Sequence, residues 1–404
     1  MDKLVYHLWL TLLLGVKSIE LDLLLNAFGS AEEVYRKKRG ELLSLGGLKS
    51  DTVERIIKNR DLDDAMDELY RCKKLGVKII PSYSEKFPVR LLNIYCPPHI
   101  LYVKGNLGNI DEELCISVVG TRSCSRYGLD SARFFGQGLA GLGVTVVSGG
   151  ARGIDTAALK GAHRAYGRTI AVMGCGVDVV YPRENRDFFR AIATDGAVIS
   201  EFPLGTPPAG ANFPIRNRII SGLSQGVLVV EAPKKSGALI TARNALEQGR
   251  DIFVVPGEIA SEYCEGSNEL IKEGAYLVTD ARDIVGQYRY FIPVMRDNLN
   301  RRLRGEEFAD DEETAPVPKK EVSVSKEEAK KAVLKEEEPK KSVDTDKYEG
   351  AEKEVLTLLI EGDMTADEML AHVSVSSSEL NTALITLEME GIILKKLDKR
   401  YSII

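Results

Sequence analysis

Between residues 115 and 280 the chain carries seven short apolar runs, at 116–119, 144–147, 169–172, 197–199, 227–230, 252–255 and 276–278. They are rich in Val and Ile, and stretches of helical period separate them. Apolar residues at consecutive rather than alternate positions require cover on both faces of a strand, which predicts a parallel sheet between helices. Right-handed crossovers then make an α/β, extended Rossmann-like, doubly wound and mostly parallel fold the expectation. Upstream, residues 1–78 read as short helices broken at Leu14-Gly15-Val16-Lys17 and Leu45-Gly46-Gly47-Leu48-Lys49, with an apolar-periodic helix after each turn. This is a helix-hairpin-helix pattern, whose glycine turn can offer backbone N–H groups to a phosphate; an ordinary tight turn in a small bundle fits equally well. Downstream, Val355, Leu358 and Leu359, then Met369, Leu370 and Val373, then Leu380, Leu384 and Leu387 mark three helices, and 392–394 with 401–403 suggest a hairpin. Three helices and a hairpin predict a winged helix.

The expected division is a helical domain at 1–78, a Rossmann-like domain at 79–295, a disordered charged linker at 296–347 and the winged helix at 348–404. Linker segments such as Glu306-Glu-Phe-Ala-Asp-Asp-Glu-Glu313 hold too little apolar surface to order themselves. The winged helix is acidic, with Glu352, Glu354 and Glu368 among its charges, which favours contact with protein over reading of a DNA groove.

A length of 404 residues implies more than one core, and 44% hydrophobic residues is a globular value. The net charge of −6 announces no nucleic-acid binder, so any such activity must come from a local basic patch. Cys72, Cys96, Cys115, Cys124, Cys175 and Cys264 show no CxxC or Cys/His spacing, which predicts reduced thiols and no metal site. The apolar start at 7–14 lacks a basic flank and is far shorter than a span, so the expectation is a buried helix, no membrane and a cytoplasmic protein.

In an open parallel sheet, ligands bind beyond the carboxyl ends of the strands. Four segments follow that rule. Gly120-Thr121-Arg122-Ser123 follows the first run. Ser148-Gly149-Gly150, with Arg152 and Gly153, follows the second. Asn212-Phe213, with Arg216, Asn217 and Arg218, enters a helix. Lys234-Lys235-Ser236-Gly237 opens another. Glycine lets the backbone approach an anion, helix starts supply free N–H groups, and arginine adds charge-assisted contacts. A strand of nucleic acid would use several such elements, with Phe213 as a stacking platform. Each piece alone fits plain fold geometry: Arg216 and Arg218 could pair with Glu201 or Glu231, and Phe213 could be core. Gly174-Cys-Gly176 lacks the third glycine of a dinucleotide fingerprint, so no cofactor is expected.

These segments, with Gly167-Arg-Thr-Ile-Ala-Val172, Tyr181-Pro182, Ile199-Ser-Glu-Phe-Pro203, 213–224, Ser236-Gly-Ala-Leu-Ile-Thr-Ala242 and Val255-Pro-Gly257, occur in the order found in the DprA/Smf (DNA processing protein A) family, which the chain resembles. The resemblance implies a helical N-terminal domain of sterile-alpha-motif type and a C-terminal winged helix. It also implies cooperative, sequence-independent binding of single-stranded DNA, a homodimer through the Rossmann-like domain, loading of RecA recombinase on incoming DNA in natural transformation, and no catalytic residues. By position it assigns a phosphate to Arg122, a DNA role to Arg168, a base to Phe213, and an extension of the track to Lys234 or Lys235. The sequence departs from the family at 207–212, which holds no basic residue before Phe213. A hydrolase of the lysine-decarboxylase-like (LOG) subclass is the main alternative, but its catalytic glutamate has no counterpart in the loop at 148–157. A protein-interaction scaffold is the third.

Overall fold

Six helices lead the chain: α1 (Lys3–Leu14), α2 (Ile19–Phe28), α3 (Ala31–Arg36), α4 (Arg39–Leu43), α5 (Ser50–Lys58) and α6 (Asp63–Leu75). Their starts and stops are local chemistry. Asp2, Ser18 and Ser30 accept hydrogen bonds from the backbone N–H groups that open α1, α2 and α3, and Gly29 and Gly76 close α2 and α6 in the left-handed conformation. Strands β1 (Lys78–Pro81) and β2 (Ile100–Gly105) follow, with the short α7 (Val89–Leu92) between them. Then come β3 (Cys115–Val119), α8 (Arg126–Gly141), β4 (Thr145–Ser148), α9 (Ile154–Arg164), β5 (Thr169–Val172), α10 (Arg186–Asp195), β6 (Ala197–Ser200), α11 (Asn212–Gly222), β7 (Gly226–Val229), α12 (Gly237–Glu247), β8 (Asp251–Val254), α13 (Glu265–Lys272), β9 (Tyr276–Leu277), α14 (Ala281–Val285) and α15 (Ile292–Leu303).

This computed structural model describes residues 2–303, 348, 350–362, 364–370, 372, 373, 375, 380, 383, 384, 386, 387, 392–395 and 400–403. The chain divides into two compact units, Met1–Glu313 and Thr314–Ile404.

In the first unit nine strands form one sheet in the order β1-β2-β6-β5-β4-β3-β7-β8-β9. The seven strands from β3 to β9 are parallel throughout and coincide, within a residue or so, with the seven apolar runs. Successive side chains split between two cores, as the pleat requires. Ile116, Val146, Ala171 and Leu228 meet α8, α9 and α10 on one face, while Val119, Val147, Val172 and Val229 meet α11 and α12 on the other. β2 pairs antiparallel with β6, and β1 antiparallel with β2, an extension that the reading of the apolar runs omitted. The N-terminal helices bury their apolar side against this extension: Leu8, Leu24 and Ile56 share one cluster with Ile100 and Tyr102 of β2.

Residues 296–303, expected to open the linker, are helical. α15 continues to Leu303, with Met295 buried in the sheet's core; the rest of that expectation, from 304, lies outside the described residues. In the second unit α16 (Gly350–Glu361), β10 (Met364–Thr365), α17 (Ala366–Leu370), β11 (Ile393–Lys395) and β12 (Arg400–Ile403) are described. The strands make an antiparallel sheet ordered β10-β12-β11. Val355, Leu359, Met369, Leu384 and Leu387 fill its core.

Candidate nucleic-acid interface

From β3 the chain steps through β4 and β5 to β6 on one side, then returns to β7 on the other side of β3. At such a switch point the flanking helices lie on opposite faces, and a crevice opens beyond the carboxyl ends of the two central strands. The crevice is a cavity of about 560 Å³, within the usual range for a ligand site.

Its walls come from three places. Val119 to Ser123 leave β3, with the Thr121 N–H held by the Glu231 carbonyl at 2.8 Å. The Glu231 carboxylate, itself buried, accepts from the Ser125 N–H at 2.9 Å and hydroxyl at 2.5 Å, which fixes the start of α8. The second wall is the start of α12, where Lys235, Ser236 and Gly237 face the cavity and the Ser236 hydroxyl accepts from the Ala238 N–H. The third is α11, with Phe213, Arg216 and Asn217. Two helix starts therefore present free N–H groups and positive dipole ends to one space.

Phe213 is half-buried and organises the mouth. The Arg122 guanidinium lies 4.7 Å from its ring centre, that of Arg216 5.7 Å, and the Tyr181 ring 5.5 Å. Arg122 is exposed and has no carboxylate ion pair among the described residues, so its N–H groups are available at the rim. Two glycines permit this arrangement. A Cβ on Gly174 would stand 2.9 Å from the Phe213 ring, and one on Gly153, whose φ is +79°, would stand 2.5 Å from the Thr121 carbonyl oxygen.

Arg216 is inside. It donates to the carbonyl oxygens of Gly149 (2.8 Å) and Val172 and to the Asn217 side chain, and it faces Asp155 below the floor. Burial pushes the Asp155 carboxyl up to about 6, against the pull of Arg216, and pushes Arg216 down to about 10. Asn217 bridges to the Gly237 carbonyl at 3.2 Å, tying α11 to α12.

Other expected contacts lie elsewhere. Arg168 precedes β5, so it stands at the amino end of the strands while the cavity lies at the carboxyl end. Its fully buried side chain pairs with Glu113 at 3.2 Å and donates to the Asn106 and Leu107 carbonyls. Arg218 points to the opposite side of α11 from the cavity walls and forms a buried ion pair with Glu201 at 2.5 Å. Arg152 is exposed but paired with Glu184 at 2.5 Å, and Lys234 with Glu265 at 2.7 Å. Ser148 donates to the Val118 carbonyl, Gly149 and Gly150 accept from Arg216 and Asn185, and Asn212 caps its own loop through the Pro207 carbonyl. Gly153 holds the two loops together without lining the space. The cavity thus gathers Gly120 to Ser123, Phe213, Arg216, Asn217 and Lys235 to Gly237 of the expected set. It adds Tyr181, part of a quoted motif but not chosen as a site residue, and Asp155, at the start of α9; their proximity depends on how the loops after β4 and β5 fold back.

Comparison with known proteins agrees with this geometry. The model of the family "DNA recombination-mediator protein A" matches residues 78–289. Protein Smf of Escherichia coli is 46% identical over 213 residues, covering 52% of this chain and 57% of that protein, so the match spans little more than half of the relative. Protein Smf of Synechocystis is 30% identical over 96% of this chain and 95% of its own length. The X-ray structure of DNA processing protein A from Streptococcus pneumoniae superposes with a TM-score of 0.63 at 34% identity, covering 71% of this chain and 98% of that one. The chain belongs to the DNA recombination-mediator protein A (DprA/Smf) family.

Proposed function

We propose that this protein binds single-stranded DNA, without regard to sequence, at the switch-point cavity. The carrying observation is Arg122, an exposed guanidinium with no ion pair among the described residues, poised over Phe213 where two helix starts converge. The guanidinium and the N–H groups of Arg122, Ser123 and Gly237 suit phosphates, which carry no base information. Phe213 and Tyr181 offer faces on which an unpaired base can stack. Lys235 adds a second exposed cation. Arg168, Arg216 and Arg218 serve this reading only by holding the frame.

Family membership supports the rest of the proposal: a recombination mediator that acts as a homodimer and helps load RecA recombinase on incoming DNA in transformation. We read the N-terminal helices as the sterile-alpha-motif-type module and the second unit as a winged helix for protein contact. The lead experiment compares oligo(dT) with a duplex of equal length, with and without RecA. Preference for the single strand supports the proposal, and equal or stronger duplex binding overturns it. Asp155, a carboxyl near the middle of the pH range on the cavity lining, is the feature a nucleotide hydrolase would use. Release of base or phosphate from a nucleoside monophosphate by the purified protein would decide for the hydrolase.

A further inference from the structure

A second cavity, of about 230 Å³, opens where α10 crosses β6 and β2. Its apolar lining includes Met173, Phe189 and Val198, and three cations, Lys104, Arg186 and Arg190, stand around it. Arg190 makes a 3.3 Å pair with Asp187, exposed on both sides, while Lys104 and Arg186 have no ion pair among the described residues. The one carboxylate in the lining, Asp178, is already engaged, accepting from the Gly205 N–H with both oxygens at 2.8 and 3.0 Å. The local charge is therefore positive around an apolar floor, in a protein of net charge −6.

Position completes the argument. Val177 to Val180 line this second cavity, and the next residue, Tyr181, lines the first. One short segment thus forms the partition between the two, and its aromatic ring faces the side where Phe213 stands. The volume is that of roughly eight waters at about 30 Å³ each, the scale of one pyrimidine ring with its substituents. Phe189 and Met173 offer that ring an apolar floor. The cations stand at the rim, where a backbone would pass.

Resting on the single-stranded-DNA reading, we infer that this cavity is a second nucleotide subsite, which receives a base of the same strand after it crosses Tyr181, while Lys104 and Arg186 neutralise its phosphates. The site lengthens the footprint of one protomer and requires no partner molecule.

The test uses the full chain carrying Lys104→Ala and Arg186→Ala together, both on the surface side of their elements, with Lys104→Arg as a charge-keeping control. Binding is titrated against salt for oligo(dT) of about 5 and about 20 nucleotides, lengths chosen to fill one subsite or to exceed both. Loss of two single-strand phosphate contacts should flatten the log–log salt slope by about 1.4, at about 0.7 per contact, on the long oligonucleotide only. The short one should bind as the unaltered protein does, and Lys104→Arg should keep the slope. An unchanged slope on the long oligonucleotide, or an equal loss at both lengths with an unaltered melting curve, overturns the subsite. If Arg122→Ala in the same series leaves both lengths bound, the underlying reading of the first cavity fails instead.

Discussion

Arg122 and Arg216 contact the same ring, yet their substitution should read out on different instruments. Arg122→Ala removes an exposed guanidinium whose visible partner is the face of Phe213 at 4.7 Å. The folded state then loses an exposed cation–π contact of about 0.5–1 kcal/mol. For a unit of this size that corresponds to no more than about 4 °C in Tm. Against oligo(dT) the same change removes a charge-assisted phosphate contact, worth about 1.5–3 kcal/mol. Affinity should fall roughly 10- to 150-fold, at tenfold per 1.4 kcal/mol. The log–log salt slope should flatten by about 0.7. Arg216→Ala instead strips a fully buried cation from two carbonyl oxygens and from Asp155. Leaving that acid uncompensated costs about 3–5 kcal/mol, a loss of at least about 6 °C. Fluorescence anisotropy on labelled oligo(dT) across a salt series, beside thermal melts of both variants, makes the measurement. Unaltered affinity and slope for Arg122→Ala, or a melting loss equal to that of Arg216→Ala, would refute the reasoning.

Gly174→Ala places a methyl against the Phe213 ring at 2.9 Å; the displaced platform should lower oligo(dT) affinity by up to about 1–3 kcal/mol in the same assay, while far-UV circular dichroism stays unchanged. Arg218→Ala breaks a buried pair with Glu201 that does not line the cavity, so urea melts should show a loss of about 3–5 kcal/mol while the protein that remains folded binds normally. Asp155 titrates near 6 when folded against 3.8 in the free chain. The folded state therefore holds the extra proton between these values, and this group makes stability decline as pH rises from 3.8 to about 6, with no further change above. Asp155→Asn should remove that decline from pH-dependent urea melts. It should also remove the rise in oligo(dT) affinity expected as the acid beneath the cavity is neutralised below about 6; a variant whose pH profile matches the unaltered protein contradicts both expectations.

Six of the seven strands were legible because a doubly covered strand needs apolar side chains on both faces; β9, at the sheet's edge with Tyr276 and Leu277 exposed, carries its apolar run without that cover. β1 and β2 were not: β1 holds only Ile79 and Ile80 between Lys78 and Pro81, and β2, though it carries the unbroken run Ile100 to Val103, lies outside the alternation of strands and helices and takes its cover for Ile100 and Tyr102 from a helical bundle distant in sequence. The motif turns were legible as glycine-rich helix entries. The role of each arginine was not. Arg152, Arg168, Arg216 and Arg218 are the same residue type as Arg122 in equally plausible loops, and their fates differ with the acid or carbonyl nearby: Glu184, Glu113, Gly149 and Glu201.

The amino-acid sequence by itself determined the α/β class, the positions of the seven parallel strands and the family, since each follows from local periodicity or from ordered motifs along one chain. Tertiary structure alone decided which cations remain free to meet a phosphate. That outcome depends on partners tens of residues away, and a guanidinium turned inward to a carboxylate is spelled with the same letter as one turned out to solvent.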